Sequence, residues 1–145
     1  FSPRPIVAVA RIYNDQRAND AGTFGQFAAG ADDTVADRQS GVLAGLSDSP
    51  IAEGGFRTNI GWFNGSSSES TLTLRAHALD GAVIETANVT VPAFSQRQQH
   101  VSAFFSTLGT RQNFYITYTT SSPALYVYAS VVDNVNGDAI FVPAL

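Results

Sequence analysis

The stretch STLTLRAHALDGAVIETANVTV, residues 70–91, decides the fold class. Side chains alternate along a strand. Leu72, Leu74, Ala76 and Ala78 therefore share one face of its first half, and Thr71, Thr73, Arg75 and His77 share the other. Asp80-Gly81 then supplies a pair that tolerates positive φ in a tight turn. The return run places Val83, Ala87, Val89 and Val91 in one phase, and Pro92, which lacks a ladder N–H, stops it. Two alternating runs about an Asp-Gly pair read as a β-hairpin.

The same pattern extends outward. Upstream, FRTNIGWF (56–63) puts Phe56, Thr58, Ile60 and Trp62 on one face, and Asn64-Gly65 follows as a second turn signal. Residues 56–91 are thus expected to form a three-stranded meander. Downstream, NFYITYTT (113–120) leads through Ser121-Ser122-Pro123 into ALYVYASVV (124–132), and Asn136-Gly137 leads into AIFVPAL (139–145). GVLAGLS (41–47) and TFGQFA (23–28) are further short strand candidates, while VSAFFSTLG (101–109) predicts one or two helical turns stopped by Gly109. Seven to eight strands with almost no helix predict an all-β fold, an antiparallel Ig-like β-sandwich. Its expected core includes Phe56, Ile60, Trp62, Leu72, Leu74, Val89, Phe114, Ile116 and Val127.

Composition narrows the function. The 145 residues suit one domain, and 44% hydrophobic against 14% charged residues describes a globular chain. The net charge is −4 and all basic residues are arginines, scattered singly, so the chain has no electrostatic footprint for nucleic acid. No apolar run approaches the roughly 20 residues that membrane insertion by a helix requires. Without cysteine there is neither disulfide nor thiol chemistry. The chain opens at Phe1, which leads us to expect a mature form whose leader has been removed, or a fragment, of a secreted or cell-surface protein.

The N-terminus carries a second informative stretch, IVAVARIY (6–13). Ile6, Ala8, Ala10 and Ile12 line one face, and Val7, Val9, Arg11 and Tyr13 the other. Apolar groups on both faces describe a strand covered on both sides, although a terminal strand usually keeps one face wet. Behind it lies a long Asp-, Asn-, Gly- and Ala-rich connection, residues 14–40. The expected organisation is an N-terminal strand with a connecting arm over 1–40 and a sandwich over 41–145. Loop closure costs little extra as a connection lengthens, so such a strand can leave its own domain. Residues 5–13 are therefore expected to add as a strand to a neighbouring subunit, with Ile6, Val7, Ala8, Val9, Ala10, Ile12 and Tyr13 forming the interface. The alternative, pairing within the strand's own domain, stands beside it.

Catalytic motifs are absent. Two histidines, His77 and His100, exclude a three-His zinc site, and there is no H-E-x-x-H, G-x-S-x-G, P-loop or G-x-G-x-x-G. His77 shares phase with Thr73 and Arg75, the solvent face, and His100 follows a polar run. DNVNGD (133–138) fails as a calcium loop, because Val132 stands where the first carboxylate must be. Asp32, Asp33 and Asp37 read as a solvated acidic loop rather than a calcium site. Trp62 shares phase with Ile60, the profile of a core residue, whereas Tyr126 and Tyr128, two apart, form the one candidate ligand-binding stripe, with core or interface packing as the competing reading. Asn64-Gly65-Ser66 and Asn88-Val89-Thr90 match the N-glycosylation pattern.

The segments FRTNIGWFN, LRAHALDG, VPAFSQRQQHVSAFF and YASVVDNVNGDAIFVPA together resemble a β-sandwich module found, singly or repeated, in large secreted and surface proteins of bacteria. ARIYN and GTFGQF, within 10–27, resemble the piece that precedes that module. The resemblance implies a structural role and carries no catalytic residue with it. The expectation is a non-catalytic extracellular structural protein without cofactor or metal. It self-assembles as a homo-oligomer or homopolymer, such as a filament or surface appendage, through its N-terminal strand. The alternative is a glycan- or surface-binding adhesion module of a secreted protein.

Overall fold

The computed structural model describes residues 9–15, 17–19, 22–30 and 38–145. Among these, the alternating runs form ten strands: β1 (Val9–Asp15), β2 (Thr23–Ala29), β3 (Ser40–Asp48), β4 (Phe56–Asn64), β5 (Ser70–His77), β6 (Val83–Val91), β7 (Gln96–His100), β8 (Arg111–Thr120), β9 (Leu125–Asp133) and β10 (Ala139–Pro143). Eight of them build the antiparallel β-sandwich, in two four-stranded sheets ordered β10-β9-β4-β7 and β3-β8-β5-β6.

The core is the set of inward rows of these sheets. Ile60, Trp62, Val127 and Ala129 on one sheet lie with Leu43, Leu72, Leu74, Phe114 and Ile116 on the other in one buried cluster. Each large apolar side chain so buried stabilises the fold by about 1.5–3 kcal/mol. Val89 packs against this cluster from the edge strand β6. Phe56, expected in the core, is instead 42% exposed, because it opens β4 at the rim of the sandwich, where its row runs out of partners.

The hairpin of residues 70–91 forms as the alternation requires, with Leu72 opposite Val89 and Leu74 opposite Ala87. Its turn holds Gly81 at φ +90°, and the Asp80 carboxylate accepts the Ala82 N–H at 3.0 Å. Asn136-Gly137 likewise joins β9 to β10. Asn64-Gly65 does not make a hairpin, and the expected meander is corrected: β4 and β5 lie in different sheets. The Asn64 side chain is wholly buried. Its amide donates to the carbonyls of Ser68 (2.9 Å) and Pro92 (3.0 Å), while its oxygen accepts the Ser66 N–H (3.0 Å). These bonds wind residues 64–68 into a loop anchored beyond β6, which carries the chain from one sheet to the other.

The helix expected over 101–109 is also corrected. Only Val101–Ala103 form a single 3-10 turn. Val101, Phe105 and Leu108 have helical spacing and are buried, but they fill the core along an irregular path. Thr107 holds that path to β6, its N–H donating to the Glu85 carboxylate at 2.7 Å. The polar run before it is strand β7, which among the described residues pairs only with β4. On the opposite side Leu145 exchanges backbone hydrogen bonds with Val42 (3.0 and 3.2 Å) and covers the edge of β3.

Residues 14–40 are not solely a connection. They contain β2, which pairs with β1 as a two-stranded ribbon outside both sheets. The ribbon docks through β2: the Gly25 N–H donates to the Asp138 carboxylate (3.0 Å), and the Ser130 hydroxyl donates to the Gln26 side chain (2.8 Å).

Candidate functional site

The ribbon holds those of the expected interface residues that can be placed. Ile6, Val7 and Ala8 lie outside the described residues, as does the Asp32–Asp37 loop. Val9, Ala10, Ile12 and Tyr13 all belong to β1, which runs on to Asp15 rather than ending at residue 13. Among the described residues nothing supplies the expected cover on both faces: all seven β1 residues are exposed. Val9 is 63%, Ile12 71% and Tyr13 60% exposed, and Phe27 of β2 is 59% exposed. Directly opposed residues share a face, and the register sets Arg11 opposite Phe27 and Ile12 opposite Gln26. Gln26 contacts the sandwich, so the face bearing Val9, Arg11, Tyr13 and Phe27 turns away from it. There the Arg11 guanidinium lies 5.7 Å from the centre of the Tyr13 ring. Asp15 accepts the Nε–H of Arg17 at 2.9 Å, and this bond holds its carboxyl below the ordinary range.

A second feature lies on the outer face of the sheet β10-β9-β4-β7. Tyr126 and Tyr128 stack at 6.1 Å between ring centres, and Phe141 approaches Tyr128 at 5.3 Å. Phe63, opposite Tyr126 on β4, is 48% exposed. The Tyr128 hydroxyl donates to the Gln98 side-chain oxygen at 3.0 Å and accepts from the Gln96 amide at 3.3 Å. Tyr128 can lie flat across the sheet because its register partner is Gly61, where any Cβ would run into the ring. The sequence pointed to the two tyrosines. Phe63 and the two glutamines went unnoticed, since QRQQH shows no apolar alternation to mark it as a strand.

The third feature surrounds His100. A cavity of about 610 Å³ is lined by Asp48, Arg57, His100, Ser102, Phe105 and Leu108, among others. Asp48 Oδ1 lies 3.1 Å from His100 Nε2 and accepts the Thr58 N–H at 2.9 Å. His100 Nδ1 is 2.7 Å from the Ser102 hydroxyl and accepts the Ser102 N–H at 3.3 Å. Burial pushes the Asp48 carboxyl upward, against the pull of Thr58 and His100. The order Asp-His-Ser is that of a proton relay, but Nδ1 is committed to the backbone of its own turn, where His100 acts as N-cap of the 3-10 segment. His77 is half-buried rather than free on the solvent face: it stacks on Tyr115 at 4.7 Å, with Nε2 2.9 Å from the Thr117 hydroxyl. Among the described residues no three His, Asp or Glu side chains gather where they could hold a metal ion. No helix of the described residues is long and apolar enough to cross a membrane.

No family model and no curated protein matches the chain. Solved structures do. The chain resembles the Anabaena sensory rhodopsin transducer at 13% identity and a TM-score of 0.52, over 62% of this chain and 92% of that one. It also resembles the crystal structure of Thermotoga maritima 1070 at 6% identity and a TM-score of 0.61, over 74% of this chain and 92% of that one. At such identities the likeness is one of fold, and that fold is the antiparallel β-sandwich.

Proposed function

We propose that this chain is a non-catalytic, extracellular structural subunit that self-assembles by adding β1 to a strand of a neighbouring copy, as in a filament or surface appendage. The observation that carries the reading is the exposure of every β1 residue, with Val9, Ile12 and Tyr13 each at least 60% exposed. An apolar strand with one open edge loses little further order on pairing and gains main-chain hydrogen bonds and apolar contact. The resemblance to modules of secreted and surface proteins favours the extracellular setting. The edge of β3 is covered by Leu145, and the open side near β6 by Thr107, which favours edge-to-edge addition over insertion into a groove.

The test is particle mass by sedimentation before and after deletion of residues 1–13, followed by addition of that segment as a free peptide. Assemblies that fall to monomers, and monomers that bind the peptide, are the expected result. Unchanged assembly of the truncated chain refutes the reading.

A second reading, glycan binding, is favoured by the aromatic row. Phe63, Tyr126 and Tyr128 beside Gln96 and Gln98 combine flat apolar faces with amide groups, the pairing that a sugar ring's C–H and hydroxyl groups require. Retention of the chain on a polysaccharide column, lost in Tyr126→Ala, tests it.

A further inference from the structure

We propose that the open edge of β1 pairs, antiparallel, with the same edge of a second copy of this chain, with Tyr13 on the two-fold axis and Arg11 of each copy opposite Asp15 of the other. This rests on the ribbon being the self-association element and names its partner strand and register.

Three properties of the ribbon lead there. The first is that β1 is hydrogen-bonded to β2 alone among the described residues. A lone two-stranded ribbon is marginal in water, whereas joining two through β1 makes a four-stranded sheet with its apolar strands at the centre. Secondly, residues 9–15 contain no Lys and no Pro, the usual guards of an exposed edge.

The third property is charge, which selects the register. Arg11, Tyr13 and Asp15 alternate along one face of β1. A pairing centred on Arg11 would set two guanidinium groups directly opposite each other. One centred on Ile12 would leave them as diagonal neighbours, roughly 7–8 Å apart. Centring on Tyr13 sets Arg11 opposite Asp15 twice, by symmetry, and brings the two tyrosines together on the axis. Asp15 is already ionised against Arg17, and a carboxylate offers about four lone-pair sites, so it can accept a second guanidinium.

Of the other edges, that of β10 lies against β2, and those of β7 and β6 suit β1 less well. The β7 edge is QRQQH, whose Arg97 and glutamines give Ile12 and Tyr13 nothing apolar to meet. Glu85 on the β6 edge is held by Thr107. The contact is isologous and closes as a two-fold pair, so a filament built of such pairs needs a second contact elsewhere on the molecule.

The chain contains no cysteine, which makes the test clean. Under mild oxidation the full chain carrying Tyr13→Cys is expected to form a disulfide-linked dimer, because directly opposed residues of paired strands lie within disulfide range. Leu79→Cys, at the exposed β5–β6 turn, is the control and should stay monomeric on a non-reducing gel. R11D and D15R should each weaken the dimer about tenfold, by turning two symmetric attractions into repulsions, and R11D/D15R should restore it. Cross-linking of Tyr13→Cys no greater than that of Leu79→Cys, or a double variant no better than the singles, overturns the register. If deletion of residues 1–13 still abolishes assembly in that case, the ribbon remains the association element and only its partner has been misassigned.

Discussion

Asp48 of β3 and His100 at the end of β7 join the two sheets, with Oδ1 and Nε2 3.1 Å apart, and the same Oδ1 accepts the Thr58 N–H. The sign of the pH dependence follows from the raised Asp48 pKa, which burial causes. The native state holds this proton more tightly than the unfolded chain does. Just above the ordinary carboxylate range it therefore binds more protons, and stability falls as pH rises through that window. Asp48→Asn keeps an oxygen for both donors and removes the buried charge. The variant is expected to be at least as stable as the parent at neutral pH and to lose that fall. Urea midpoints measured from acid to neutral pH check this, and a lower midpoint for the variant at neutral pH refutes it. Glu85, whose pKa is lowered by Thr107, acts in the opposite sense, and its contribution is lost as pH falls below its ordinary value of 4.5. It is common to both chains and cancels in the comparison.

The commitment of His100 Nδ1 to the Ser102 backbone predicts an unreactive serine. Ser102 should show no labelling by a fluorophosphonate probe above that of Ser102→Ala, because a nucleophile needs a base free to take its proton through the reaction. Specific labelling would make the cavity at His100 an active site.

Trp62 is buried and meets Phe104 edge-on at 5.7 Å, yet its indole N–H has no acceptor among the described residues. Trp62→Ala should cost about 3–5 kcal/mol by opening a cavity. Trp62→Phe should cost less than about half as much, since it keeps an aromatic edge for Phe104 and removes an unpaired buried donor. Denaturant unfolding of both variants separates the two contributions.

Gly61 underlies the Tyr128 ring, so Gly61→Ala must displace it. The loss of the Gln96 and Gln98 contacts and of the Tyr126 stacking should change the near-ultraviolet circular dichroism while leaving the β spectrum in place. If the aromatic row binds glycan, retention on the polysaccharide column should fall in the same variant.

How much of this was legible in advance depends on the range of the forces involved. Period-two alternation and the Asp80-Gly81 and Asn136-Gly137 turns are local, and they identified every strand of the sandwich except β7, the 70–91 hairpin and the buried rows around Ile60, Leu72 and Val127. Asn64-Gly65 presents the same local signature as those turns. Its role was set by the distant carbonyl of Pro92 and by the choice of sheet, neither of which a neighbouring residue records.

The same division holds at the candidate sites. Residues 6–13 declared an apolar strand, of which 9–13 lie in β1, and the alternating tyrosines declared a shared face, because both are properties of consecutive side chains. That β1 pairs with β2 and stands exposed, that QRQQH is an edge strand beside Tyr128, and that Asp48 reaches His100 were decided only in three dimensions. Each depends on backbone hydrogen bonding or burial between segments far apart in the chain. Binary patterning tells a strand which way its side chains point, but not which strand lies next to it.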